Sequence, residues 1–143
     1  MLFSVLISSL MGSIAHADGD DNNCGKLSVM ITNTTGSTCS LISSNLQHGY
    51  FKYTSSVPMY IPTNTTTTPI YLEQSMFGPE LELSYSCGED KVLTFTSKQN
   101  LCFLSAGDVT GQVSLAKNGS ADYQAINGSW FWSQHGSINW HLQ

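Results

Sequence analysis

No arginine occurs anywhere in this chain; five lysines face ten acidic residues, for a net charge of −5. A nucleic-acid partner needs a basic patch, so this balance excludes one. General attraction to anionic lipid is excluded for the same reason. Charge of either sign is scarce at 10% of residues. No C-x-x-C pair or clustered histidine supports a metal, and no G-x-S-x-G supports a nucleophilic serine. Nothing in the chain calls for a cofactor. Outside the first 17 residues no stretch shows a 3.6-residue apolar period, which excludes a helical domain.

One apolar run exists, from Leu2 to Ile14, followed by Ala15-His16-Ala17. It is shorter than the ~20 residues that span a bilayer. The A-x-A pattern reads as a secretory signal peptide over 1–17, cut before Asp18. No basic residue precedes the run. The predicted organisation is this signal, a flexible acidic leader over 18–26 and one domain over 27–143. Export to an extracellular or periplasmic space follows.

What is present is alternation. Leu81, Leu83, Tyr85 and Cys87 alternate with polar residues, and Leu93 and Phe95 do so after a Gly88-Glu89-Asp90 turn. Period two marks a strand with one buried face. A turn centred on Glu89 sets Tyr85 opposite Leu93 and Leu83 opposite Phe95; a one-residue slip would separate the apolar sides. Ser97–Asn100 reads as a second turn and Leu101–Leu104 as a third strand. Leu27, Val29 and Ile31 form a first strand. The Asn33–Ser37 turn leads to a partner strand at Cys39 and Leu41. Pro58 and Pro62 limit Met59–Ile61 to an edge. Thr63–Thr68 is an exposed turn, and Ile70 and Leu72 form a strand. Val113 and Leu115 mark another, and Asn118-Gly119 is a hairpin signal. Tyr123–Ile126, Trp130–Trp132 and Ile138–Leu142 complete the series. The fold class is all-β: a single-domain antiparallel β-sandwich.

Four cysteines, Cys24, Cys39, Cys87 and Cys102, behind an export signal imply two disulfides that staple this domain. Loop closure favours the local pairs. The strand registers oppose them: Cys102 would lie about four residues along and two strands over from Cys87. At ~3.4 Å per residue and ~4.8 Å per strand this exceeds disulfide reach. Bridges from the first hairpin to the meander are expected, with their pairing open.

The cadence Ile31-Thr-Asn-Thr-Thr-Gly36, Ser44-Asn-Leu-Gln-His-Gly-Tyr50, Ser55-Ser-Val-Pro-Met-Tyr-Ile-Pro62 and Tyr71-Leu-Glu-Gln-Ser-Met-Phe-Gly78 resembles the aegerolysins and neighbouring actinoporin-like proteins. Leu81–Tyr85 and the Phe95-Thr-Ser-Lys-Gln-Asn100 stretch continue it. The resemblance implies a small β-sandwich binding a membrane lipid or cell surface, in some members as a cytolysin-type factor acting with a partner or by self-association. Two disulfides are uncommon in those families, and no amphipathic N-terminal helix is present here.

All three tryptophans lie near the end of the chain: Trp130, Trp132 and Trp140, interleaved with Phe131, His135 and His141. On a strand, Trp130 and Trp132 would share one face and Phe131 take the other. Tryptophan suits both a bilayer interface and sugar stacking. Trp130, Trp132, Trp140 and His135 are the candidate ligand-binding residues, for a membrane lipid or, alternatively, a surface glycan as in a lectin-like module. A small exported enzyme or inhibitor would need convergent His and carboxylate groups. Glu80 and Glu82 read instead as a solvated strand face, and no catalytic residue is assigned. Asn33, Asn64, Asn118 and Asn127 begin N-x-S/T and read as turn chemistry.

Overall fold

Leu83 faces Phe95 and Tyr85 faces Leu93 across two antiparallel strands, in the register that the alternation requires. This computed structural model describes residues 22–104 and 106–143; the expected signal peptide and residues 18–21 of the leader lie outside them. Thirteen strands occur among the described residues: β1 (Lys26–Asn33), β2 (Cys39–His48), β3 (Tyr50–Phe51), β4 (Tyr60–Ile61) and β5 (Thr65–Thr66). They continue with β6 (Ile70–Glu73), β7 (Glu80–Cys87), β8 (Val92–Gln99) and β9 (Ala106–Gly107). The last four are β10 (Val109–Lys117), β11 (Ala121–Ile126), β12 (Gly128–Ser129) and β13 (Gly136–Leu142).

Two open sheets form the sandwich, in the orders β11-β13-β1-β6-β3 and β10-β8-β7-β2-β4. Strand β5 pairs with β1 beyond the end of β6. The inward residues of each strand meet between the sheets. Leu27, Val29, Ile31, Ile70, Leu72, Ile138, Trp140 and Leu142 pack against Leu81, Leu83, Tyr85, Leu93 and Phe95. Tyr85 donates its hydroxyl to Pro58 O at 2.7 Å, tying the edge to the core. Burial pushes its phenol well above the usual range, so it remains a donor.

The first hairpin does not form. β1 pairs with β13, β5 and β6, whereas β2 pairs with β7 and β4. Asn33 diverts the chain from one sheet to the other. Its buried Oδ1 accepts from Thr35 N at 2.9 Å, and its Nδ2 donates to Ser37 O at 2.9 Å and Ile61 O at 2.8 Å. These bonds replace those a hairpin would supply. Asn33→Ala should therefore cost about 2 kcal/mol, read as a lower urea midpoint, because several buried groups lose partners at once. An unchanged midpoint would show that the turn holds without them.

Asn118-Gly119 likewise joins β10 to β11 across the two sheets and is not a hairpin turn. Two further corrections concern loops. β8 runs on through Gln99, so Ser97–Asn100 is not a turn, and Leu101–Leu104 lies in an excursion between β8 and β10. Trp130–Trp132 is the tip of a tight turn closed by Ser129 and Gln134, which exchange backbone bonds at 2.9 and 3.0 Å.

The disulfides join Cys24 to Cys102 and Cys39 to Cys87. Neither is a local pair. Cys39 and Cys87 are direct neighbours on β2 and β7, and Cys24 lies in a short 3₁₀ turn before β1.

Candidate functional site

Strand directions gather the loops at one end of the sandwich. The parallel strands β1 and β13 both begin there, β6 and β8 end there, and β7 and β10 begin there. Segments 22–25, 74–79, 100–104, 106–108 and 127–135 therefore converge. Their backbones are pinned together. Gln74 donates from Nε2 to Cys102 O at 3.0 Å and accepts from Cys102 N at 2.8 Å. Asn22 donates from Nδ2 to Trp130 O at 2.8 Å, and Asn23 N donates to Ser133 Oγ at 3.0 Å.

The keystone is Gln99, fully buried, whose Nε2 donates to Cys24 O at 2.8 Å. Three glycines surround that amide. A Cβ at Gly107, Gly128 or Gly136 would approach Nε2 to 2.7, 2.5 or 2.7 Å. Small residues at these positions are the room the carboxamide occupies. Sequence reading missed Gln99, because a buried polar side chain breaks the apolar alternation it relies on.

Onto this rigid base the loops project apolar side chains. Phe131, Met76 and Trp132 are 86%, 83% and 82% exposed, and Phe77, Phe103 and Leu104 are exposed with them. Trp130 is half-buried, its ring edge-on to Phe103 at 5.6 Å. His135 is exposed just before β13. Trp130, Trp132 and His135 thus share one loop, and Phe131 stands outward beside Trp132 because a turn, unlike a strand, does not alternate its faces. Trp140 is elsewhere: it is fully buried, 4.6 Å from the Phe95 ring, with Nε1 donating to Ser97 Oγ at 2.9 Å. It is a core residue, out of reach of a surface ligand.

The opposite end differs in kind. Its turns, 34–38, 62–64, 88–91 and 118–120, carry no large apolar side chain. Asn64 and Asn118 occupy the left-handed region there, with φ of 57° and 56°, and Asn33 is buried. Other exposed apolar residues, such as Ile42, Tyr53, Tyr60 and Leu115, are spread along the strands and edges. The four segments at the apolar end hold one carboxylate, Asp108, and no lysine. Among the described residues no group of three His, Cys, Asp or Glu could hold a metal ion.

No family model and no curated protein sequence matches the chain. Its fold is similar to that of several solved structures. The lipid binding protein Nakanori superposes with a TM-score of 0.60 at 11% identity, over 82% of this chain and 70% of that one. RahU protein, solved in complex with a TRIS molecule, gives 0.60 at 14% identity, over 84% and 95%. IP-1A from Alcaligenes faecalis gives 0.53 at 13% identity, over 85% and 91%. At these identities the likeness is one of fold.

Proposed function

We propose that this protein is a secreted, non-enzymatic binding module that docks on a membrane lipid surface through its apolar end. The observation that carries this reading is the set of exposed side chains Met76, Phe77, Phe103, Leu104, Phe131 and Trp132 on the loops that converge at one end of the sandwich. A soluble monomer seldom gathers so much apolar surface without a use for it. Two disulfides fit an oxidising compartment such as the extracellular space. The sandwich it shares with a lipid binding protein supports the same reading.

Attachment is by insertion rather than by charge. The rim lacks lysine, and the chain is acidic. Trp132 suits the headgroup boundary, with its apolar body toward the acyl chains and its N–H toward water. Burying a large apolar side chain contributes about 1.5–3 kcal/mol. Phe131→Ser/Trp132→Ser should therefore weaken retention on sedimenting vesicles by about a hundredfold. Wild-type retention should change little between low and high salt. Full retention of the double variant, or no retention of oxidised wild-type protein on any vesicle, would overturn the reading.

A further inference from the structure

Met76 stands on the turn between β6 and β7, 83% exposed within the apolar rim. The feet of that turn are fixed. Gln74 N donates to Gly25 O at 2.8 Å, and Pro79 O accepts from Gln99 N at 3.0 Å. The neighbouring Phe77 ring leans on the His48 imidazole at 4.9 Å. The Met76 thioether is thereby held out in solvent, where a polar oxidant reaches it. Of the other methionines, Met1 and Met11 fall in the expected signal peptide. Met30 is half-buried on β1. Met59 is 66% exposed, but its carbonyl bonds Leu41 N beside β4, toward the opposite end of the sandwich. All four cysteines are held in disulfides, so no thiol is present to consume a peroxide first.

We infer that Met76 is an oxidation site through which a hydroperoxide switches membrane docking off. The inference rests on the membrane-docking reading and deepens it by naming a control on the same surface. The step is an oxygen-atom transfer. The thioether sulfur attacks one peroxide oxygen; an S–O bond forms and the O–O bond breaks. The proton on the attacked oxygen passes to the leaving one. Sulfur is oxidised to the sulfoxide, and the peroxide is reduced to water, or to an alcohol if it is organic. In the free protein the polar sulfoxide stays hydrated, so folding stability is untouched. Docking would draw it out of water into the acyl boundary, where no partner satisfies it. The unmodified thioether instead contributes apolar burial there. The whole penalty falls on the docked state, and only such a difference shifts the equilibrium. Once docked, the sulfur lies in lipid and is shielded from an aqueous peroxide. The same oxidation at Met59 leaves the rim unchanged.

In the test, hydrogen peroxide is applied to the disulfide-bonded protein and removed with catalase. Vesicles of phosphatidylcholine, phosphatidylethanolamine and phosphatidylglycerol are then added. Peptide mass mapping should find an added oxygen at Met76 and at Met59. Retention on sedimenting vesicles should fall about tenfold, with the melting temperature unchanged. For Met76→Leu, treated and untreated protein should be retained alike, whereas Met59→Leu should lose retention as the wild type does. Vesicles added before the peroxide should slow sulfoxide formation at Met76 and leave Met59 unprotected. Full retention of protein that carries the Met76 sulfoxide, or an equal loss on treating Met76→Leu, overturns the oxidation site and leaves rim docking standing. Untreated protein that no vesicle retains overturns rim docking itself, and the site with it.

Discussion

Trp140→Ala should lower folding stability by about 3–5 kcal/mol, the cost of a large cavity in a packed core. That is a large part of the ~5–15 kcal/mol that holds a domain of this size. The indole fills the space between the sheets where β13, β8 and β11 meet, 4.6 Å from the Phe95 ring and 5.0 Å from that of Tyr123. Gly111 on β10 makes room for it, since a Cβ there would lie 2.7 Å from Trp140 Cζ2. Truncation also strands the buried Ser97 hydroxyl that accepts from Nε1. Trp140→Phe retains most of the packing and loses only that hydrogen bond, so its cost should be smaller, about 1–2 kcal/mol beyond the reduced volume. Urea unfolding of the three proteins measures both. A loss below about 1 kcal/mol for the alanine variant would mean that the site collapses around the gap.

Removal of the two disulfides should separate stability from attachment. The Cys24–Cys102 bridge spans 78 residues and Cys39–Cys87 spans 48. Chain entropy rises only with the logarithm of loop length, so each loss should cost nearly the same, about 4 kcal/mol. Their surroundings differ. Cys39 and Cys87 sit opposite each other in a ladder that the other strand pairs keep in register. Cys102 lies in the excursion that carries Phe103 and Leu104, tied to Cys24 beneath the rim. Cys24→Ala/Cys102→Ala should therefore lose most vesicle retention at a temperature where the protein is still folded. Cys39→Ala/Cys87→Ala should keep it under the same criterion. If both variants bind alike, the bridge beneath the rim does not order the docking surface.

The meander was legible because alternation and a short turn leave one register that puts Tyr85, Leu93, Leu83 and Phe95 on the same side. The tips were not legible. Phe103, Leu104 and Phe131 are apolar residues in loops, and an apolar residue in sequence reads as core unless something shows that its backbone has left the sheet. Trp130–Trp132 looked like a strand because its aromatic content favours one. The Ser129–Gln134 bridge that makes it a turn involves backbone groups with no side-chain signature. Trp140 and Trp132 are the same residue type eight positions apart, yet one is core and the other rim.

From the chain alone came the class of fold, the buried face of most strands and the presence of two cross-links. Side-chain identity and a two-residue period carry that information locally. Tertiary structure decided which strands became neighbours, which cysteines met and where the exposed aromatics gathered. Asn33 and Asn118 can turn a chain back along one sheet or across to the other, and only the packing of the whole sandwich selects between them.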